Sequence, residues 1–226
     1  MEKVKGLLFL FIFCILLIPS ISSVEFKVNE SYDKKETMIA RISGSFGEPI
    51  FKDDIVFYRN YWETVVEFDL LNIDDDYYIY AQLDKPEGNY SVNIEEVSHY
   101  SAEGWTDDPI SRNFSISDKN AYFFIDPGVK KAQEDFQVEF KNIKPYSIDI
   151  TIEREGKSDR KVSLNSGESK NIDFDLGNKT GMEIINIYSH STNYDFFLYS
   201  MVNDSQTTEC GNGLVESGEQ CDSTNL

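Results

Sequence analysis

Apolar side chains recur at every second position along most of this chain, and that period restricts the backbone more than any other feature. Phe136, Val138 and Phe140 alternate with Gln137 and Glu139; Ile148, Ile150 and Ile152 alternate with Asp149 and Thr151; Ile172, Phe174 and Leu176 alternate with Asp173 and Asp175. Successive side chains of an extended backbone point to opposite faces, so each segment has one apolar face and one polar or charged face. A strand buried on one side carries this pattern. No stretch sustains a helical period, and aromatic and β-branched residues crowd into the same runs, as strands favour. The expected fold class is all-β.

In the second half the alternation predicts strands over 121–126, 135–141, 147–154, 161–164, 170–176, 182–189 and 195–202. The breaks carry turn chemistry: Pro127-Gly128, Lys144-Pro145, Glu155-Gly156, Ser166-Gly167, Gly177-Asn178 and the stretch from His190 to Asn193. Short strands at this spacing predict an immunoglobulin-like β-sandwich. The first half predicts strands over 24–28, 37–43, 54–58, 64–70, 77–83, 90–99 and 112–117, with a longer loop over 101–110. Asp74-Asp75-Asp76 and Lys85-Pro86-Glu87-Gly88 mark its tight breaks. The expected organisation is a signal segment over 1–22, a first β-sandwich over 23–118, a second, immunoglobulin-like sandwich over 119–202, and a short disulfide-type tail over 203–226. A single larger jelly-roll-like sandwich is the alternative to two.

The N-terminus points to export. Lys3 and Lys5 give it a positive excess, and residues 7–18 (LLFLFIFCILLI) form an unbroken apolar run of 12. A spanning helix needs roughly 20 apolar residues, so this run fits the core of a secretory signal. Pro19 ends the helix, and Ser20-Ile21-Ser22 supplies the small-x-small pattern that directs cleavage after Ser22, with Ser23 as the neighbouring option. An uncleaved N-terminal anchor is the other reading, and bulky Phe13 before Cys14 argues against a lipoprotein. Residues 1–22 contain two Lys and one Glu, so their removal takes the formal charge from −19 to −20. That excess argues against nucleic acid, whose phosphates need clustered Lys and Arg, and against docking on anionic lipid. The expected location is extracellular or cell-surface. Membrane contact is expected only through an uncleaved N-terminal segment or a C-terminal anchor beyond Leu226.

Cysteine use agrees. Beyond Cys14, the chain holds only Cys210 and Cys221, and an even pair in an exported protein predicts a disulfide. Five Asn-x-Ser/Thr sequons follow the signal, at Asn29, Asn89, Asn113, Asn178 and Asn203, where chance places about two. They are candidate glycan acceptors; ordinary polar turn residues are the plainer reading.

The last residues change character. After Asn203-Asp-Ser-Gln-Thr-Thr208 comes Cys210-Gly-Asn-Gly-Leu-Val-Glu-Ser-Gly-Glu-Gln-Cys221-Asp222. This segment resembles the opening of the cysteine-rich repeats of exported surface proteins from myxobacteria and some archaea. The resemblance covers only 210–226, and members of that family continue past the Cys-Asp with further cysteines. It implies that this chain is the N-terminal part of a longer protein. Gly211, Gly213 and Gly218 permit tight turns. Asn212, Glu216, Glu219 and Asp222 set four oxygen-bearing side chains close together, which makes calcium a candidate. The spacing matches no EF-hand loop, and the acids also serve simply as solubilising groups, so no cofactor is expected.

Signatures of catalysis are missing from the sequence. The two histidines, His99 and His190, have no metal-ligand partner at useful spacing, and exposed polar positions account for both. There is no His-Glu-x-x-His, Gly-x-Ser-x-Gly, phosphate loop or dinucleotide fingerprint. A glycosidase needs only two carboxylates, and the loop with Trp105, Asp107 and Asp108 is where one would lie. Tyr58, Tyr61, Trp62 and Trp105 are candidate sugar-stacking aromatics; filling a sandwich core and its corners is the competing role. The expectation is a non-enzymatic structural or adhesion module whose partners are other surface proteins or extracellular glycans. A carbohydrate-binding module and a secreted glycosidase are the alternatives.

Overall fold

The computed structural model of the protein describes residues 23–177 and 180–201. The signal segment, Asn178, and the tail with Asn203, Cys210, Cys221 and the calcium candidates Asn212, Glu216, Glu219 and Asp222 lie outside the described residues. The described chain is nearly all β. Its first half forms β1 (Glu25–Lys27), β2 (Ser31–Lys34), β3 (Thr37–Ser43), β4 (Ile55–Arg59), β5 (Trp62–Glu63), β6 (Phe68–Ile73), β7 (Asp76–Gln82), β8 (Gly88–Ile94), β9 (His99–Ser101), β10 (Gly104–Thr106) and β11 (Ile110–Asn120). The second half forms β12 (Phe123–Asp126), β13 (Val129–Ala132), β14 (Phe136–Asn142), β15 (Ile148–Glu153), β16 (Arg160–Leu164), β17 (Ser169–Phe174), β18 (Gly181–Ser189) and β19 (Thr192–Ser200).

In the first half a sheet ordered β1-β3-β7-β6 packs on one ordered β2-β11-β8-β4-β5, and β9 and β10 form a separate hairpin. In the second half β12-β14-β17 packs on β13-β19-β18-β15-β16. The period of two decides what lies between the sheets. Met38, Ile42 and Ile79 from one sheet meet Phe57, Val92 and Phe114 from the other in a single buried cluster. Phe123, Val138, Phe140 and Ile172 meet Ile150, Ile185 and Phe196 in a second. Each such side chain contributes about 1.5–3 kcal/mol by leaving water, and no disulfide is needed among the described residues to hold either cluster.

Most expected strands form, with their ends shifted by a residue or two; β3 covers the expected 37–43. Four differences are physical. Two short strands, β2 and β13, add to their sheets in parallel, against β11 and β19. Four residues are too few to display a period, and Ser31–Lys34 (SYDK) and Val129–Ala132 (VKKA) read as polar connections. Residues 101–110, expected as loop, include the end of β9 and all of β10, a hairpin closed by the Ser101 hydroxyl donating to the Gly104 carbonyl at 2.9 Å. β5 pairs over only two residues with the end of β4. The strand expected over 64–70 begins only at Phe68.

The halves are joined through the edge of β12. Residues 123 and 125 turn their outer peptide groups away from β14, toward Tyr194 of β19 and Thr37 of the first half respectively. The buried Thr37 hydroxyl donates to the Ile125 carbonyl at 2.8 Å and accepts from the Ile125 N–H at 3.2 Å. The Tyr194 hydroxyl donates to the Phe123 carbonyl at 2.8 Å and accepts from the Thr37 N–H at 3.2 Å. Burial pushes the Tyr194 phenol well above its ordinary value, so it keeps its proton. Beside this network Ile73, Tyr78 and Val129 form an apolar cluster with Ile39, Phe197 and Tyr199. A Cβ at Gly128 would lie 2.9 Å from the Cβ of Tyr80, so only glycine allows this approach.

Thr37→Val keeps the shape of residue 37 and removes its hydroxyl, leaving two buried peptide groups of Ile125 unpaired. The expected loss is about 2–4 kcal/mol, read as a lower urea midpoint; an unchanged midpoint would show that the hydroxyl is not holding the junction. Next to it, Glu36 accepts from the Asp33 N–H at 2.6 Å. Burial raises the Glu36 carboxyl to about 7, the Asp33 amide opposes the rise, and the Asp33 charge adds to it. The folded state therefore holds a proton that the unfolded chain releases near its ordinary value. This contribution to stability is full below about 4.5 and is lost as pH climbs to about 7. Glu36→Gln is expected to flatten that part of the stability–pH curve and to gain about 1–3 kcal/mol above pH 7, measured by urea unfolding from pH 4 to 8.

Candidate functional site

Alternation on the central strands of the five-stranded sheet sends Tyr90, Val92 and Ile94 of β8, and Phe114 and Ile116 of β11, into the core. The residues between them face outward. Asn89, Ser91 and Asn93 stand on β8; Ser111, Asn113 and Ser115 stand on β11. The register sets Asn89 opposite Ser115, Ser91 opposite Asn113, and Asn93 opposite Ser111. On the other side Ser91 pairs with Tyr58 of β4. This face floors a concavity of about 930 Å³, bounded by Glu30 on one side and by Tyr61 on the other.

The face is tied by its own polar groups. The Ser111 hydroxyl donates to the Asn93 side-chain carbonyl at 2.8 Å. The Tyr58 hydroxyl donates to the Glu95 carboxylate at 2.8 Å, and that bond raises the Tyr58 phenol above its ordinary value. The Asn93 amide reaches the same Glu95 oxygen at 3.4 Å. Arg59 lies behind the face, stacked over Tyr90 at 5.8 Å and donating to the Glu87 carbonyl at 2.8 Å.

The turn from β4 to β5 holds Asn60 and Tyr61 at φ 49° and 77°. Left-handed φ at both central positions is the demand of the tight hairpin turn that Asn-Gly usually fills. Asparagine suits the first place; tyrosine is a strained choice for the second. Tyr61 is 98% exposed and Trp62 80% exposed, so neither fills the core.

The candidate aromatics therefore separate. Tyr58 and Tyr61 line one concavity. Trp62 pairs with Arg59 and so lies on the other side of the ribbon from Tyr58, which pairs with Glu63. Trp105 sits on β10, 56% exposed and edge-on to Tyr100 at 5.8 Å. The β9–β10 hairpin leaves the sheet from the end where Ile55, Ile94 and Ile110 align, whereas Tyr61 lies beyond the end where Arg59, Tyr90 and Phe114 align. At about 3.3 Å per residue, those ends are roughly 13 Å apart before either loop begins. Asp107 and Asp108 are exposed, and Asp108 accepts from the Thr106 hydroxyl at 2.9 Å.

Of the sequon asparagines, Asn29 is exposed before β2, and its N–H donates to the Tyr32 hydroxyl at 3.1 Å. Asn89 and Asn113 are exposed on the outer face just described. His99, expected at an exposed polar position, is instead buried, its Nδ1 3.2 Å from the Val97 carbonyl. It opens β9 and faces inward, which a sequence window this short does not reveal. His190 is exposed, with its ring stacked on Tyr122 at 4.3 Å. Among the described residues no group of three or more His, Cys, Asp or Glu side chains is placed to hold a metal ion. A larger groove of about 1210 Å³ runs along the junction, but its lining includes Thr37 and Tyr194, which are engaged in joining the halves.

No family model matches the chain, and no curated protein matches it in sequence. Among solved structures it is similar to native alpha-2-macroglobulin from Escherichia coli spanning domains MG0-NIE-MG1, at 10% identity and TM-score 0.32, covering 79% of this chain and 71% of that one. It is also similar to trypsin-activated alpha-2-macroglobulin from Escherichia coli, at 9% identity and TM-score 0.27, covering 78% of this chain and 17% of that one. A third is the adhesin InvE of Yersinia pseudotuberculosis, at 9% identity and TM-score 0.27, covering 79% and 60%. TM-scores this low carry nothing about what this chain binds or does.

Tyr61→Gly removes an exposed side chain and relieves the backbone at φ 77°. The expected gain is about 1 kcal/mol, read as a higher thermal midpoint. A loss of stability would mean that Tyr61 packs against the fold after all.

Proposed function

We propose that this chain is a non-enzymatic extracytoplasmic protein that acts as a rigid structural or adhesion module. The observation that carries the reading is the junction. Thr37 and Tyr194 occupy the open edge of β12 with three hydrogen bonds and are tied to each other by a fourth, and an apolar cluster closes beside them. A spacer or adhesin needs its parts held at one angle, and an interlock of buried hydrogen bonds provides that where a flexible linker does not. The sheet order of the second half, with β12, β14 and β17 facing a sheet in which β15, β18 and β19 are neighbours, supports reading it as an immunoglobulin-like sandwich. The first half is then a second sandwich of related plan, with its boundary near residues 118–120.

Export by the N-terminal signal, an acceptor role for the exposed Asn29, and a Cys210–Cys221 disulfide opening a cysteine-rich region complete the proposal. Partners are then other surface proteins or extracellular glycans. Small-angle scattering from the chain without residues 1–22 tests the rigid module: one fixed arrangement of the two halves is expected to fit the whole curve. A curve that requires a spread of inter-half angles would remove the main support. Protease treatment of intact cells tests the location, with digestion of the protein expected and full protection counting against export.

A further inference from the structure

We propose that the outer face of the five-stranded sheet binds a neutral oligosaccharide, laid across β8 and β11 with its sugar rings against Tyr58 and Tyr61. The inference rests on the adhesion reading and names the ligand class for it. Its first support is a local departure from the chain's chemistry. Of the chain's residues 27% are charged, with a net charge of −19, yet of the twelve residues lining this concavity only Glu30 is charged. The Glu95 carboxylate beside the concavity is taken up by Tyr58 and Asn93, and no cation lines it to hold an anionic ligand. An uncharged polyhydroxylated ligand suits such a surface. Asn side chains both donate and accept, and Ser hydroxyls do the same, matching sugar hydroxyls that also do both.

The second support is the pair of tyrosines. The bond to Glu95 fixes the Tyr58 ring on the face, so the ring loses little further freedom when a sugar packs on it. Tyr61 projects from the rim, 98% exposed, at a backbone angle that glycine would adopt without strain. Folding gains nothing from that ring, and strain that folding does not repay is characteristic of binding sites. Aromatic rings present flat apolar surface to the C–H faces of sugars while the surrounding amides reach their hydroxyls. The concavity, about 930 Å³, falls in the range of ligand sites. Trp105 has no part in it, being at the other end of the sheet.

The competing occupant is the chain's own carbohydrate. Asn89 and Asn113 both head sequons and stand diagonally adjacent on this face; glycans attached there would fill it. The two uses exclude each other, so peptide mass spectrometry of the native protein is the first arm of the test, with both residues expected to be unmodified. The second arm is titration calorimetry of the chain without residues 1–22 against cellohexaose, chitohexaose and mannohexaose, with polygalacturonate as an acidic control. Binding of at least one neutral hexasaccharide is expected. It should weaken about tenfold or more in Tyr61→Gly, a change that suits the backbone there, and should be unchanged in Trp105→Ala.

Glycans on Asn89 and Asn113, no heat with any neutral hexasaccharide at millimolar concentration, binding of the acidic polymer alone, or full binding by folded Tyr61→Gly would each overturn the inference. None of these outcomes bears on the scattering curve or on protease access. Failure here thus leaves the rigid-module reading standing, and failure there is seen separately.

Discussion

The hydroxyl of Thr37 does what a neighbouring strand would otherwise do for β12. An edge strand leaves a row of peptide groups unpaired, and buried peptide groups without partners cost about 1–3 kcal/mol each. β12 is the edge of a three-stranded sheet, and its outward groups at Phe123 and Ile125 are met by Tyr194 and Thr37. Because Thr37 opens β3, whose Met38, Ala40 and Ile42 lie in the first core, and Tyr194 belongs to β19 in the second, the two cores are coupled through one edge. The glycine at 128 and the cluster around Tyr78 and Val129 depend on the same close approach.

What the fold leaves free matters as much as what it buries. A one-sided sheet must turn its second face to water, and in this acidic chain most such faces carry charge. The polar side of β14 bears Glu139 and Lys141, and that of β17 bears Asp173. The outer face of β8 and β11 bears Asn and Ser instead. Ion pairs elsewhere hold structure: Arg154 grips Glu183 with two bonds of 2.8 Å and the Asp175 carbonyl with one of 2.6 Å, linking the end of β17 to β18 across the sandwich. The Lys157 ammonium beside Asp175 pulls that carboxyl below its ordinary value. The outward rows of β8 (Asn89, Ser91, Asn93) and β11 (Ser111, Asn113, Ser115) are thus an uncharged patch.

Much of the strand plan was legible from spacing alone. Ile148, Ile150 and Ile152 are buried, as their alternation requires, and so are Ile172, Phe174 and Leu176. Asp74 at φ 55° turns the β6–β7 hairpin where three aspartates mark a break. The parallel strands β2 and β13 escaped notice because pairing with a distant strand, not local period, makes them strands. His99 escaped because its burial follows from the packing of β9 and Phe46, which bridge at that residue. The candidate site was half legible: Tyr58 and Tyr61 stand out as aromatics near a turn, but the Asn and Ser rows of β8 and β11 come from segments about 20 residues apart that carry no motif.

By itself the sequence determined the strand class, the turn positions and which residue of each alternating pair goes inside. These depend on backbone geometry and on the preference of apolar groups for the interior, both of which act within a few residues. Tertiary structure alone decided that β12 would be sealed by Thr37 and Tyr194, that Trp105 and Tyr61 would stand at opposite ends of one sheet, and that Asn89 and Asn113 would be diagonal neighbours. Register and edge pairing couple residues from 20 to more than 150 positions apart, and nothing in a local window records which distant strand will arrive.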